Sequence, residues 1–225
     1  MTENFSFIKT HEDPNEEEKT INGFYGDYSI TQEDRIEVQR YRISVLICSL
    51  SMIGVVISCL KFNNSLACLS LIILSISLGL ALYWIHIYIR EIHLILKSFW
   101  LAGSISLSAM ILILGVDKLI PSIIESPQTT IAIAPLFVSL TGLGFKEFFC
   151  FRRPEAIGVS IVLPIAILGH IFSLLSSTQV IFSLGTSSIL LFILAIRKFG
   201  IDPGADIGDK SVFEYMKQQR ERVKV

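Results

Sequence analysis

Residues 142–155 read GLGFKEFFCFRRPE, a short charged and aromatic segment set between two strongly apolar runs. The run before it spans about Thr129 to Phe145 and the run after it about Ala156 to Leu175. Each approaches the roughly 20 residues that a helix needs to cross about 30 Å of hydrocarbon. Working outward, four further runs follow the same pattern: about Ile43 to Leu60, Leu66 to Tyr88, Ser98 to Val116 and Thr178 to Ile196. None of the six contains Asp, Glu, Lys or Arg. The pattern predicts an all-α, polytopic membrane protein with six transmembrane helices over residues 43–196.

Composition agrees. Of 225 residues, 52% are hydrophobic, and the mean hydropathy is +0.62. The apolar excess lies in long runs rather than in an amphipathic period, which excludes an ordinary soluble domain and makes the lipid bilayer the first partner. No basic stripe of the kind that binds nucleic acid is present.

Lys and Arg near the span ends give an orientation. One side carries Arg35, Arg40 and Arg42, then Arg90 and Lys97, then Lys146, Arg152 and Arg153, and finally Arg197, Lys198 and Lys210; the other side carries Lys61 and Lys118. Both termini are therefore expected in the cytoplasm, or in the stroma if the membrane is a thylakoid.

The flanks divide by texture. Residues 1–23 are acidic, with Glu16, Glu17 and Glu18 in a row, and are expected to form a disordered tail. They show neither a basic n-region nor a small-residue cleavage site, so no cleaved signal or transit peptide is expected. Residues 24–42 read as an interfacial amphipathic helix: Gly23 and Tyr25 to Tyr28 suggest a turn, and Thr31 with Asp34 suggests a capping box before a helix near Gln32. Residues 197–225 read as a tail with a short helix capped by Ser211 and Glu214 and ending on Arg220, Arg222 and Lys224.

Few residues carry chemistry. No CxxC, HExxH, Walker loop or GxSxG elbow occurs, and no carboxylate lies within an apolar run, so a non-enzymatic role without a metal is expected. Pro135 and Pro164 fall at similar depth and fit either two packing kinks or a pair of interrupted helices beside a solute site. His86 and His170 are weak candidates for cofactor binding: each could ligate a chlorophyll magnesium, or bond to a neighbouring helix. Their separation argues against a shared haem. Cys59 and Cys68 flank one turn and could approach each other. In the central link, Lys146, Glu147, Phe148, Phe149, Phe151, Arg152 and Arg153 fit an interfacial anchor or a docking surface for a membrane protein or acidic lipid.

Three ordered segments add a resemblance. YGDYSITQEDRIEVQRYR at 25–42, FKEFFCFRRPEA at 145–156 and IGDKSVFEY at 207–215 resemble a family of uncharacterised integral membrane proteins, a domain of unknown function, from cyanobacteria and chloroplasts. The resemblance covers about residues 24–216 and implies a six-span protein of a thylakoid or plasma membrane, with no catalytic residues to carry over. It favours a non-catalytic scaffold or assembly factor for photosynthetic membrane complexes. The alternatives are a transporter of a small neutral solute and a pigment-binding membrane protein.

Overall fold

The structure, a computed structural model, describes residues 20–223. Most of the expected acidic tail, residues 1–19, lies outside the described residues. The chain forms two compact units, one made by the described residues up to Asp34 together with those from Asp209, the other by Arg35–Gly208.

In the first unit, β1 (Thr20–Asn22) and β2 (Asp27–Ser29) pair antiparallel, with Ile21 opposite Tyr28. The turn between them closes from the Gly23 amide to the Gly26 carbonyl, with Gly26 at φ +146°. Two expectations are corrected here. Thr20–Asn22 is a strand rather than the end of a tail, and Asp27 and Tyr28 leave the turn for β2, because the short glycine turn lets the flanks pair. The helix α1 (Gln32–Leu60) starts where the sequence places it. Thr31 and Asp34 make the reciprocal box, Thr31 N to Asp34 Oδ2 at 2.8 Å and Asp34 N to Thr31 Oγ1 at 3.3 Å. The helix α9 (Lys210–Val223) is capped differently from the sequence expectation. Asp209, not Ser211, stands before the first turn and accepts from the Ser211 amide at 2.9 Å, leaving Ser211 inside the helix. Tyr25 stacks on Tyr215 with ring centroids 3.9 Å apart, and Lys210 pairs with Asp34 at 2.7 Å.

The second unit holds the rest of α1 and seven further helices: α2 (Asn64–Trp84), α3 (Arg90–Leu114), α4 (Val116–Glu125), α5 (Pro127–Phe151), α6 (Pro154–Ile171), α7 (Ser177–Lys198) and α8 (Pro203–Ile207). Six helices, α1, α2, α3, α5, α6 and α7, are long and apolar enough to cross a membrane. At about 1.5 Å per residue, the 29 residues of α1 reach about 43 Å, so it is longer than one hydrocarbon layer. Of residues 24–42, expected as an interfacial helix leading into the first span, only those from Gln32 are helical; they are continuous with the span in α1, and Val38, Tyr41 and Arg42 are buried rather than laid on a surface. The turn between α3 and α5 holds a helix that the apolar pattern did not reveal, α4, with Leu119 and Ile120 buried. Pro135 and Pro164 lie inside continuous helices, not at breaks.

Close packing runs from α3 to α5, from α5 to α6 and from α6 to α7. Small residues permit it. A Cβ at Gly103 of α3 would run into the backbone of Leu136 on α5, and one at Gly79 of α2 into the Trp100 ring of α3. Ser139 of α5 donates to the Leu96 carbonyl of α3 at 3.0 Å, and Trp100 Nε1 to the Ser75 carbonyl of α2 at 2.8 Å. Outward faces stay apolar: Leu112 is 86% exposed and Ile113 79%. Such faces suit contact with hydrocarbon.

Two predictions arise. Gly103→Val forces α3 and α5 apart and is expected to cost about 1–3 kcal/mol, read as a lower unfolding midpoint in detergent. Gly185→Ala meets only Val56 at an ordinary 3.7 Å and should leave the midpoint nearly unchanged. In the first unit, hydrogen bonds from the Ser211 hydroxyl and then from the Phe24 amide hold the Asp209 carboxyl below its ordinary range. Its folded pKa is depressed, so its contribution is full above the ordinary carboxylate range and is lost as pH falls through the folded value. The protection factor of the Phe24 amide, its exchange rate relative to the intrinsic rate at each pH, should fall on acidification through that window, and Asp209→Asn should remove the pH step.

Candidate functional site

A chain of ionised side chains is buried at the end of the second unit where α1 begins and α7 ends. Lys198, the last residue of α7, is fully buried, as is Glu147 of α5. Lys198 Nζ lies 2.6 Å from Glu147 Oε2 and 2.5 Å from Asp206 Oδ1 of α8. Asp206 turns its other oxygen to Arg42 of α1, with Arg42 Nε at 2.7 Å and Nη2 at 2.6 Å. Glu147 Oε1 accepts from the Tyr41 hydroxyl at 2.5 Å and from Lys146 Nζ at 3.1 Å. The Phe151 and Tyr41 rings cover Lys198, their centroids 4.6 Å and 5.0 Å from Nζ.

Local sequence explains the placement. Tyr41 and Arg42 are neighbours about 100° apart on α1, so one turns to α5 and the other to α8. After α7, Asp202 accepts from the Gly204 amide at 2.7 Å and Pro203 opens α8, which folds the chain back and returns Asp206 over Lys198. A cation also suits the C-terminal end of α7. Burying charge is costly unless it is paired and hydrogen-bonded, and here each carboxylate bridges two cations. At the rim, Glu155 accepts from Arg197 at 2.9 Å and 3.1 Å and lies 3.6 Å from Arg153.

The central link is therefore divided. α5 continues through Phe151 and α6 begins at Pro154, so only Arg152 and Arg153 connect them. Glu147 does not belong on a docking surface: its carboxylate points into the bundle, and Lys146 and Phe151 face the same buried cluster. Phe148 is half-buried, Arg153 precedes α6, and Phe149 and Arg152 are exposed. Arg152 sits in the left-handed region at φ +50°.

Among the described residues, His93 and His170 serve helix ends. His86 lies 3.5 Å from Glu37 of α1. His170 Nε2 lies 2.9 Å from the Ile123 carbonyl, which also accepts from Thr130 Oγ1 at 3.0 Å. That carbonyl needs outside donors because the residue four positions on is Pro127, which has no N–H. His93 Nε2 likewise meets the Leu82 carbonyl near the end of α2 at 2.7 Å. With Nε2 of His170 so engaged, a pigment metal would have to displace it or use Nδ1. The four cysteines are free thiols, Cys59 and Cys68 among them. Among the described residues no group of three or more His, Cys, Asp or Glu could hold a metal ion.

Sequence reasoning missed that Tyr41, Arg42, Lys198 and Asp206 form one buried cluster with Glu147. The available signal was two carboxylates, Glu147 and Asp206, placed among the cations on the basic side of the spans. Lys198→Met leaves both carboxylates without their shared cation and should lower stability by about 3–5 kcal/mol. Adding Glu147→Gln and Asp206→Asn would strip Lys146 and Arg42 of their counter-ions and should deepen that loss, and Tyr41→Phe should cost about 1.5–3 kcal/mol. Denaturant unfolding in detergent measures all three.

The family described as "Uncharacterized integral membrane protein (DUF2301)" matches residues 80–215, a segment that includes Glu147, Lys198 and Asp206. An "Uncharacterized protein" of Haemophilus influenzae is 35% identical over 88 residues, covering 37% of this chain and 49% of that protein. The chain thus spans about half the length of this curated relative. No solved structure matches the chain. With six membrane-crossing helices and a family match over more than half its length, the chain belongs to the DUF2301 family of integral membrane proteins.

Proposed function

We propose that the protein is a non-catalytic scaffold that holds another integral membrane protein against the turn between α5 and α6. The observation that carries this is Arg152. It is exposed and forms the left-handed cap that ends α5, its amide bonded to the Phe148 carbonyl at 2.7 Å, which projects its side chain from the turn. Beside it Phe149 is 66% exposed and Phe145 53%, their ring centroids 4.8 Å apart. An aromatic ridge with a cation at its end is the composition of an interface anchor. The neighbouring charges are used inside the bundle, which stiffens the platform from which this ridge projects.

The sequence resemblance favours photosynthetic membrane complexes as the partners, with the basic end of the bundle in the cytoplasm or stroma. The relative from Haemophilus influenzae speaks for a membrane partner outside photosynthetic lineages as well. The solute-transport alternative rested on interrupted helices at Pro135 and Pro164, and both helices are continuous.

The test is a gentle-detergent purification of the tagged protein, wild type against Phe149→Ala with Arg152→Ala, followed by mass spectrometry. A stable set of membrane-protein subunits is expected with wild type, reduced at least tenfold in a variant whose unfolding midpoint is unchanged. Equal recovery from both, or a wild-type protein that emerges alone, would sink the proposal.

A further inference from the structure

At the end of the second unit opposite the ionic cluster, six helices leave a cavity of about 90 Å³. Its wall includes Val55 and Cys59 of α1, Ile133 and Phe137 of α5, Ile167 of α6 and Leu184 of α7. Ile133 and Phe137 flank Pro135, and Ile167 lies one turn after Pro164, so the void adjoins both proline-bearing turns, where the ring crowds the preceding turn and close packing is harder.

The cavity surface is wholly apolar although Thr130 and His170 line it. Both side chains turn a polar atom to the Ile123 carbonyl, and neither presents polar surface to the void. A void with no polar group to hydrate stays dry and takes apolar guests; one of about 150 Å³ accepts benzene or xenon. The present volume admits a narrower guest.

The way in is apolar too. Of the lining residues, Ile124 at the end of α4 and Ser177 at the start of α7 are exposed and mark the mouth. Beside them, in the turn before α7, Phe172 is 66% exposed and Leu174 77%. A mouth bordered by such side chains suits a hydrocarbon guest.

We infer that this cavity is a binding site for a segment of lipid hydrocarbon chain a few carbons long, admitted between α4 and α7. The Ile123 carbonyl, clamped by His170 and Thr130, holds α4 as one jamb of the entrance. This site is independent of the α5–α6 turn and stands or falls separately from the scaffold proposal.

The test uses full-length protein with protonated Ile and Leu methyl groups on a deuterated background, in phosphatidylcholine nanodiscs. Intermolecular nuclear Overhauser effects are recorded between protein methyls and lipid chain protons. Ile133 is 3% exposed, and Leu140 and Leu163 are fully buried away from the cavity. Cross-peaks from Ile133 and Leu184 to chain protons at least threefold stronger than those from Leu140 and Leu163 are expected. Leu184→Phe, which fills the void, should remove the Ile133 cross-peak while the Leu140 and Leu163 shifts stay in place. Cross-peaks to water, or none above the Leu140 and Leu163 level, would overturn the inference. Should Leu184→Phe fail to fold, Cys59→Phe fills the same space from α1 and supplies the same comparison.

Discussion

The structure depends on pairing Glu147 with Lys198 where water does not reach. Neither could be buried alone, because an uncompensated charge in a low-dielectric interior costs several kcal/mol. Together they commit four separate segments of chain: α5 supplies Glu147, α7 supplies Lys198, α8 returns Asp206, and α1 closes the set with Tyr41 and Arg42. Lipid offers no hydrophobic drive to bring membrane helices together. Directional, charged contacts at the bundle end fix which helices are neighbours and at what height, while small residues such as Gly103 let the helix bodies approach.

The two ends of the bundle solve different problems. The end with α8 buries charge and uses it up internally. The opposite end has an exposed backbone problem instead: Pro127 leaves the Ile123 carbonyl without its helical donor, and two side chains from other helices repair it. The first solution gives a rigid platform beneath the α5–α6 turn. The second leaves a dry hollow beside α4.

How much of this was legible depends on what each feature requires of sequence. The six spans were readable because a helix in hydrocarbon needs a long run without charge, and Ile43 to Leu60 or Thr178 to Ile196 satisfies nothing else. The cap at Thr31 and Asp34 was readable because it is local. The strand Thr20–Asn22 was not, since three residues carry no usable alternation. The ionic cluster was not readable either. Lys198, Arg42 and Lys146 stand at span ends, where cations ordinarily reach for headgroups, and nothing local distinguishes one that turns inward. Glu147 and Lys198 are 51 positions apart, and only the packing of α5, α6 and α7 brings them together. His170 was read as either a ligand or a bond to a neighbouring helix; its partner, Ile123, is 47 positions away and is set by a proline in another loop.

The separation of those charges along the chain has a consequence for biogenesis. Glu147 is synthesised after its partners Tyr41 and Lys146 but before Lys198, so the first four spans are made with a carboxylate that still lacks its closest cation. Lys146, its immediate neighbour, is the only cation of the cluster on the same helix and can accompany it meanwhile. The short helix α8 completes the set: until residue 206 has been made, Lys198 and Arg42 lack their common counter-ion.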